Sequence, residues 1–168
     1  MIRLLNGKGQ LGSILQEQTK NIQTTKNIFI YHTWNVWDKS QDAQKKEYKK
    51  FIDFVDKNKD NGRIVFISTY SEGNNYYVHY KQKSEAHLVS SCNDCLIIRL
   101  PNLIGNKGIF NRLKNKECEP YGEIEIMSLE AAARSILELV NYDGLVRSFT
   151  VKGEIISVVT LNKIIHAF

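Results

Sequence analysis

Three glycines spaced as Gly7-Lys8-Gly9-Gln10-Leu11-Gly12 stand between a short apolar stretch, residues 1 to 6, and a segment where Leu11, Ile14 and Leu15 recur at helical spacing. That order reads as strand, tight turn and helix. Glycine at these places permits the sharp turn, the approach of a pyrophosphate to the backbone, and close packing of helix on strand. The helix N-terminus, with its free N–H groups and the positive end of its dipole, suits phosphate. The bland alternative is a glycine-rich turn that merely fits the pattern, and the strand and helix on its proper sides count against it.

The rest of the chain keeps the same rhythm. Residues 27 to 33 read as a buried strand, and 43 to 58 as a helix with Tyr48, Phe51, Ile52 and Val55 on one face and lysines opposite. A strand over 63 to 68, a helix over 77 to 90 and a strand over 95 to 100, stopped by Pro101, complete a βα alternation. Alternation of this kind implies a parallel sheet in an α/β fold. After residue 105 the pattern loosens into a strand near 123 to 127, a helix over 128 to 140, a strand near 146 to 151 and a short helix from 160. Leu129, Ala132, Ala133, Ile136 and Val140 form the buried face of the 128–140 helix, and Ser128 is its expected N-cap. The polar stretch around 58 to 62 is a helix-to-strand loop, so residues 1 to 168 are read as a single domain.

A net charge of +5 suits an anionic partner: a dinucleotide, a sugar nucleotide or a nucleic acid. Nucleic acid is the weakest of these, because Lys45, Lys46, Lys49 and Lys50 form a solvated helix face without an aromatic stacking platform. No apolar run approaches the ~20 residues that span a bilayer, and no secretory h-region precedes the glycines, so a cytoplasmic protein off the membrane is expected. Cys92 and Cys95 have zinc-knuckle spacing but lack a second pair, and with Cys118 they are expected to be reduced thiols, leaving no metal site. Trp34 and Trp37 could line a cleft at a strand's C-terminal end or pack in the core.

A second cluster carries proton chemistry. Tyr77 and Lys81 are four apart on one helix, with Glu85 a turn later and Ser68-Thr69 at the preceding strand end. An ammonium on the same face can lower the phenol pKa, and the tyrosinate can then exchange a proton with a carbinol or carbonyl oxygen. A strand-end hydroxyl can hydrogen-bond that oxygen. A surface tyrosine and a solvated lysine are the competing reading, with Tyr76 and Tyr80 as rival phenols.

The glycine motif, Ser68-Thr69, Tyr77-x-x-x-Lys81-x-x-x-Glu85 and Ile98-Arg99-Leu100-Pro101-Asn102-Leu103-Ile104-Gly105, in this order, resemble the extended short-chain dehydrogenase/reductases. The first motif is similar to the dTDP-4-dehydrorhamnose reductase branch, which carries one more residue between its first two glycines. The resemblance implies a Rossmann-like three-layer fold with a mostly parallel sheet. Only 14 residues separate Gly12 from the strand at Asn27, so the family's second and third strands would be missing, and with them the acidic residue that holds the adenosine ribose. The adenosine side of the pocket would then be open.

By the same resemblance, Tyr77 is the acid/base, Lys81 its activator and ribose ligand, and Thr69 or Ser68 the oxygen-orienting hydroxyl. Gly7, Lys8, Gly9, Gln10, Leu11 and Gly12 form the phosphate turn. His32, Thr33 and Trp34 lie along the cofactor, and Pro101, Asn102 and Leu103 supply the nicotinamide-side backbone. Residues 106 to 168 include a remnant of the substrate-binding portion, seen in Met127 to Ala131 and Phe149 to Leu161. The implied activity is an NAD- or NADP-dependent reductase or epimerase of a nucleotide-linked sugar. Lys8, placed to meet a 2′-phosphate, tilts the choice to NADP. A homodimer through helices 43–58 and 77–90 is implied too. Thr69 and Tyr77 are only eight positions apart, a shorter loop than the family's. A catalytically impaired member acting as a binding or regulatory subunit is therefore the alternative.

Overall fold

The computed structural model describes residues 1–5, 9–71, 73–105 and 109–167. In chain order these form β1 (Ile2–Leu4), α1 (Gln10–Gln18), a 3-10 turn (Thr19–Asn21), β2 (Ile28–Tyr31), α2 (Gln41–Asn58), β3 (Arg63–Thr69), α3 (Tyr76–Ser91) and β4 (Cys95–Leu100). There follow β5 (Asn102–Ile104), α4 (Ile109–Lys114), β6 (Glu123–Ser128), α5 (Leu129–Leu139), β7 (Ser148–Thr150), β8 (Glu154–Ser157) and α6 (Val158–His166). The main sheet is parallel throughout, in the order β1-β2-β3-β4-β7. A smaller sheet, β5-β6-β8, pairs β5 parallel and β8 antiparallel to β6.

Strand alternation splits the core into two layers. Ile28, Ile30, Val65, Ile67, Leu96 and Ile98 face Leu15 of α1 and Ala132, Ala133 and Ile136 of α5. Tyr31, Ile64, Phe66 and Ile97 face Phe51 and Val55 of α2 and Leu88 of α3. Aromatic rings fill the second layer, Phe51 lying 4.4 Å from Phe66 and edge-on to Tyr31 at 5.0 Å between centroids. A third cluster, Leu113, Val158 and Leu161, packs α4 and α6 together beside the small sheet.

Helix starts follow the capping residues. Ser40, Asn75 and Ser128 each accept a hydrogen bond from the backbone N–H three residues on, which satisfies an otherwise orphaned donor. The buried face of α2 differs from the apolar face expected: Gln44 and Glu47 are buried with Phe51 and Val55, while Tyr48 and Ile52 are half-buried. Hydrogen bonding is the reason. The Gln44 amide donates to the carbonyls of Asn35 (2.8 Å) and Asp38 (2.5 Å) and accepts from Trp34 Nε1 (2.7 Å), so a polar side chain is satisfied inside. Strand β2 ends at Tyr31, two residues earlier than expected, which frees His32 and Thr33 to turn over the sheet.

Candidate active site at the carboxyl ends of the strands

Residues 9–12 open α1 directly above β1. Gly9 is the N-cap, in an extended conformation, and no acidic side chain occupies the first turn. Among the described residues a Cβ built on Gly9 meets nothing within 4 Å, whereas Gly12 is buried. Gly9 borders open space and the buried Gly12 leaves room for close packing of the helix, the division of labour a phosphate turn needs. Gly7 and Lys8 lie outside the described residues. Gln10 reaches across to the end of β5, where a Cβ on Gly105 would stand 2.5 Å from the Gln10 side-chain oxygen. The glycine turn and the Pro101–Gly105 segment therefore meet.

The register of β3 on β4 sets Ser68 opposite Arg99 and Thr69 opposite Leu100. Despite their short separation in sequence, Thr69 and Tyr77 come near enough for the Thr69 hydroxyl to act on the Tyr77 phenol. Burial nevertheless dominates the phenol, pushing it up to about 12, with the Thr69 hydroxyl pulling the other way. This reverses the expectation that the neighbouring ammonium lowers it. Lys81 is turned elsewhere: Nζ donates to the Ile67 carbonyl at 2.8 Å and lies 4.5 Å from the Trp34 ring centroid and 4.6 Å from that of Phe66, but 6.0 Å from the Tyr77 ring. Only 4% of Lys81 is exposed, and desolvation pulls its ammonium down to about 7 against the attraction of Glu85 and Glu47.

The surrounding groups are held firmly. Glu85 takes a forked ion pair from Arg99, with Nε to its two oxygens at 3.0 and 3.1 Å and a third contact from Nη2, tying α3 to β4. Trp34 is fixed by Gln44, and the exposed Trp37 lies outside the core. The His32 imidazole is pushed toward its neutral form by burial and by Lys81. Its Nε2 and the Ser68 hydroxyl are buried without a hydrogen-bond partner. Two such orphans at adjoining strand ends, with open space at Gly9, fit a polar ligand lying across the ends of the strands. Pro101, Asn102 and Leu103 border the same region, and Asn102 Nδ2 donates to the Glu125 carbonyl at 3.2 Å.

Gln44, Glu47 and Glu125 escaped the sequence reading. The signal for the first two was their i, i+3 placement on the face shared with Phe51 and Val55. Glu125, with Oε1 accepting from the Gly153 amide at 2.5 Å, joins two segments distant in sequence and left no local trace. Among the described residues no cluster of His, Cys, Asp and Glu could hold a metal, and no helix is long and apolar enough to cross a membrane. Cys92, Cys95 and Cys118 are free thiols.

The sequence matches no protein-family model and no curated protein. Its fold is widely shared. The Bordetella bronchiseptica enzyme WbmG in complex with NAD aligns with TM-score 0.77 at 14% identity, over 99% of this chain and 77% of that one. The dTDP-4-dehydrorhamnose reductase of Bacillus anthracis in complex with NADP aligns with TM-score 0.76 at 16% identity, over 99% and 79%. The UDP-N-acetylglucosamine 4-epimerase of Bacillus cereus gives 0.72 at 16%, over 99% and 80%. Over its whole length, the chain therefore carries the Rossmann-like fold of the NAD-dependent epimerases and dTDP-4-dehydrorhamnose reductases.

Proposed function

We propose that the chain is a nicotinamide-dependent reductase acting on a carbonyl of a nucleotide-linked sugar. The observation carrying this reading is the Tyr77 phenol standing within reach of the Thr69 hydroxyl at the end of β3, with Lys81 one turn further along α3. A bound nicotinamide would supply the hydride. Residues 9–12 would hold its phosphates at the α1 N-terminus, and Ser68, His32 and the 101–103 backbone would flank its ring and ribose. In this reading the Tyr77 phenol, protonated at neutral pH, donates the proton to the carbonyl oxygen as hydride arrives at its carbon. Thr69 orients the same oxygen.

Similar folds solved with NAD, with NADP, and with NAD and UDP together support the ligand class. A preference for NADP would rest on Lys8. Pairing of two copies through α2 and α3 belongs to the same proposal, and so does a cytoplasmic location.

Oxidation of NADPH by the purified chain with nucleotide-linked keto sugars tests the reading. Tyr77→Phe should lower turnover by about 100-fold or more while cofactor affinity holds. A Tyr77→Phe protein as fast as wild type would remove Tyr77 from the role. One observation favours a second reading, a binding or regulatory subunit: the Lys81 ammonium is engaged by Ile67, Trp34 and Phe66 rather than by the phenol. Cofactor binding without turnover on any keto sugar would favour it.

A further inference from the structure

A dinucleotide is two nucleotides joined at a pyrophosphate, and an open parallel sheet holds it across the place where strand order reverses, one half on each side of the first strand. In this chain the order β1-β2-β3-β4-β7 runs in one direction from β1. β1 pairs with β2 on one side, and among the described residues no strand lies on its other side. From α1 the chain passes through the 3-10 turn and residues 22–27 straight into β2. That connection is tied to the start of β1, since the Met1 ammonium donates to Thr24 Oγ1 at 2.7 Å and to the Lys26 carbonyl at 2.9 Å. Arg3 of β1 is exposed and sets its guanidinium 5.7 Å from the Phe29 ring centroid. The ribose-binding carboxylate of such a fold would come from a strand on that unoccupied side, and the strand that does border β1 ends in His32, Thr33 and Trp34, none of them acidic.

The other half of the site is furnished. Gly9 borders open space, Ser68 and His32 present unpartnered polar atoms, and the Thr69 hydroxyl stands near the Tyr77 phenol. We infer that the site recognises the nicotinamide mononucleotide half of its cofactor, with one phosphate at the α1 N-terminus, and that the adenosine half adds little to binding. The ligand class is then any reduced nicotinamide nucleotide, mononucleotide or dinucleotide. This rests on the reading of the site as nicotinamide-dependent. The rival place for adenine is a groove of about 560 Å³ beside β1, bordered by Leu5, Trp34 and Phe54.

Calorimetric titration of the whole chain with NADH, NADPH, reduced nicotinamide mononucleotide and ADP-ribose separates the cases. We expect NADH, NADPH and the mononucleotide to share one dissociation constant within about threefold, and ADP-ribose to bind at least about tenfold more weakly. NADH or NADPH about tenfold or more tighter than the mononucleotide would overturn the inference and leave the nicotinamide-dependent reading standing. If Phe54→Ala then removed that advantage, adenine would be placed in the groove. Failure of all four ligands to bind would overturn both.

Discussion

Lys81 is the residue at which packing and chemistry collide most directly. Burial among Trp34, Phe66 and the Ile67 carbonyl lowers its ammonium to about 7, whereas an unfolded lysine titrates near ~10.4. Between those two values the unfolded chain holds a proton that the folded chain has released. Stability therefore rises with pH across that window, and below it this group contributes no pH dependence. Replacing Lys81 with Met keeps the volume and removes the titration. We expect Lys81→Met to exceed wild type in urea-unfolding free energy near neutral pH, and the excess to shrink by up to ~1.4 kcal/mol per pH unit from about pH 7 to about pH 10. A difference independent of pH would mean that Lys81 keeps its charge in the folded chain. The inverse logic holds at Tyr77, whose phenol is pushed up to about 12: its share of stability is present at neutral pH and falls as pH rises through ~10 to 12.

At the level of elements, a single side chain clamps the amino ends of the strands. Arg63, the first residue of β3, is 7% exposed and donates through Nε to Asp94 at 2.7 Å, and through Nη1 to the carbonyls of Val140 (3.0 Å) and Tyr142 (2.6 Å). It thereby joins the start of β4 to the end of α5. Arg63→Met would leave the two carbonyls unpartnered and Asp94 with Lys26 alone at 3.7 Å, and we expect a loss of about 2–4 kcal/mol in chemical denaturation with m unchanged. A loss under about 0.5 kcal/mol would place these groups in contact with water. Arg63 was readable only as the first residue of a strand, because its partners lie 31 to 80 positions away. The elements that were legible, β1 to β4 with α1 to α3 and α5, announce themselves by apolar period and by caps such as Ser128. Those that were not, β5, α4 and β8, are three to six residues long and rest on pairing with β6 or packing against α6, which no local pattern records.

For the molecule as a whole, one internal shortening has consequences at every scale. The 14 residues between Gly12 and Asn27 have room for a helix and a return loop only, so β1 becomes the outer strand, and the sequence already carried that result. The approach of Thr69 to Tyr77 was not legible, because it depends on where α3 comes to rest against β3, which no local pattern records. The absence of help from Lys81 to the phenol was equally hidden, since the direction of a lysine side chain is decided by the aromatic layer beneath it. The proposed reaction depends on a nicotinamide nucleotide lying over Gly9, and this is the point to test first. Wild-type protein and Gly9→Val are titrated with NADH by calorimetry, the variant's folding being checked by circular dichroism, since a Cβ at Gly9 meets no protein atom within 4 Å. Saturable binding by wild type, weakened by about 100-fold or lost in a fully folded Gly9→Val, is the expected result. Equal affinity in the two proteins, or no binding by either, would contradict a cofactor site at the head of α1.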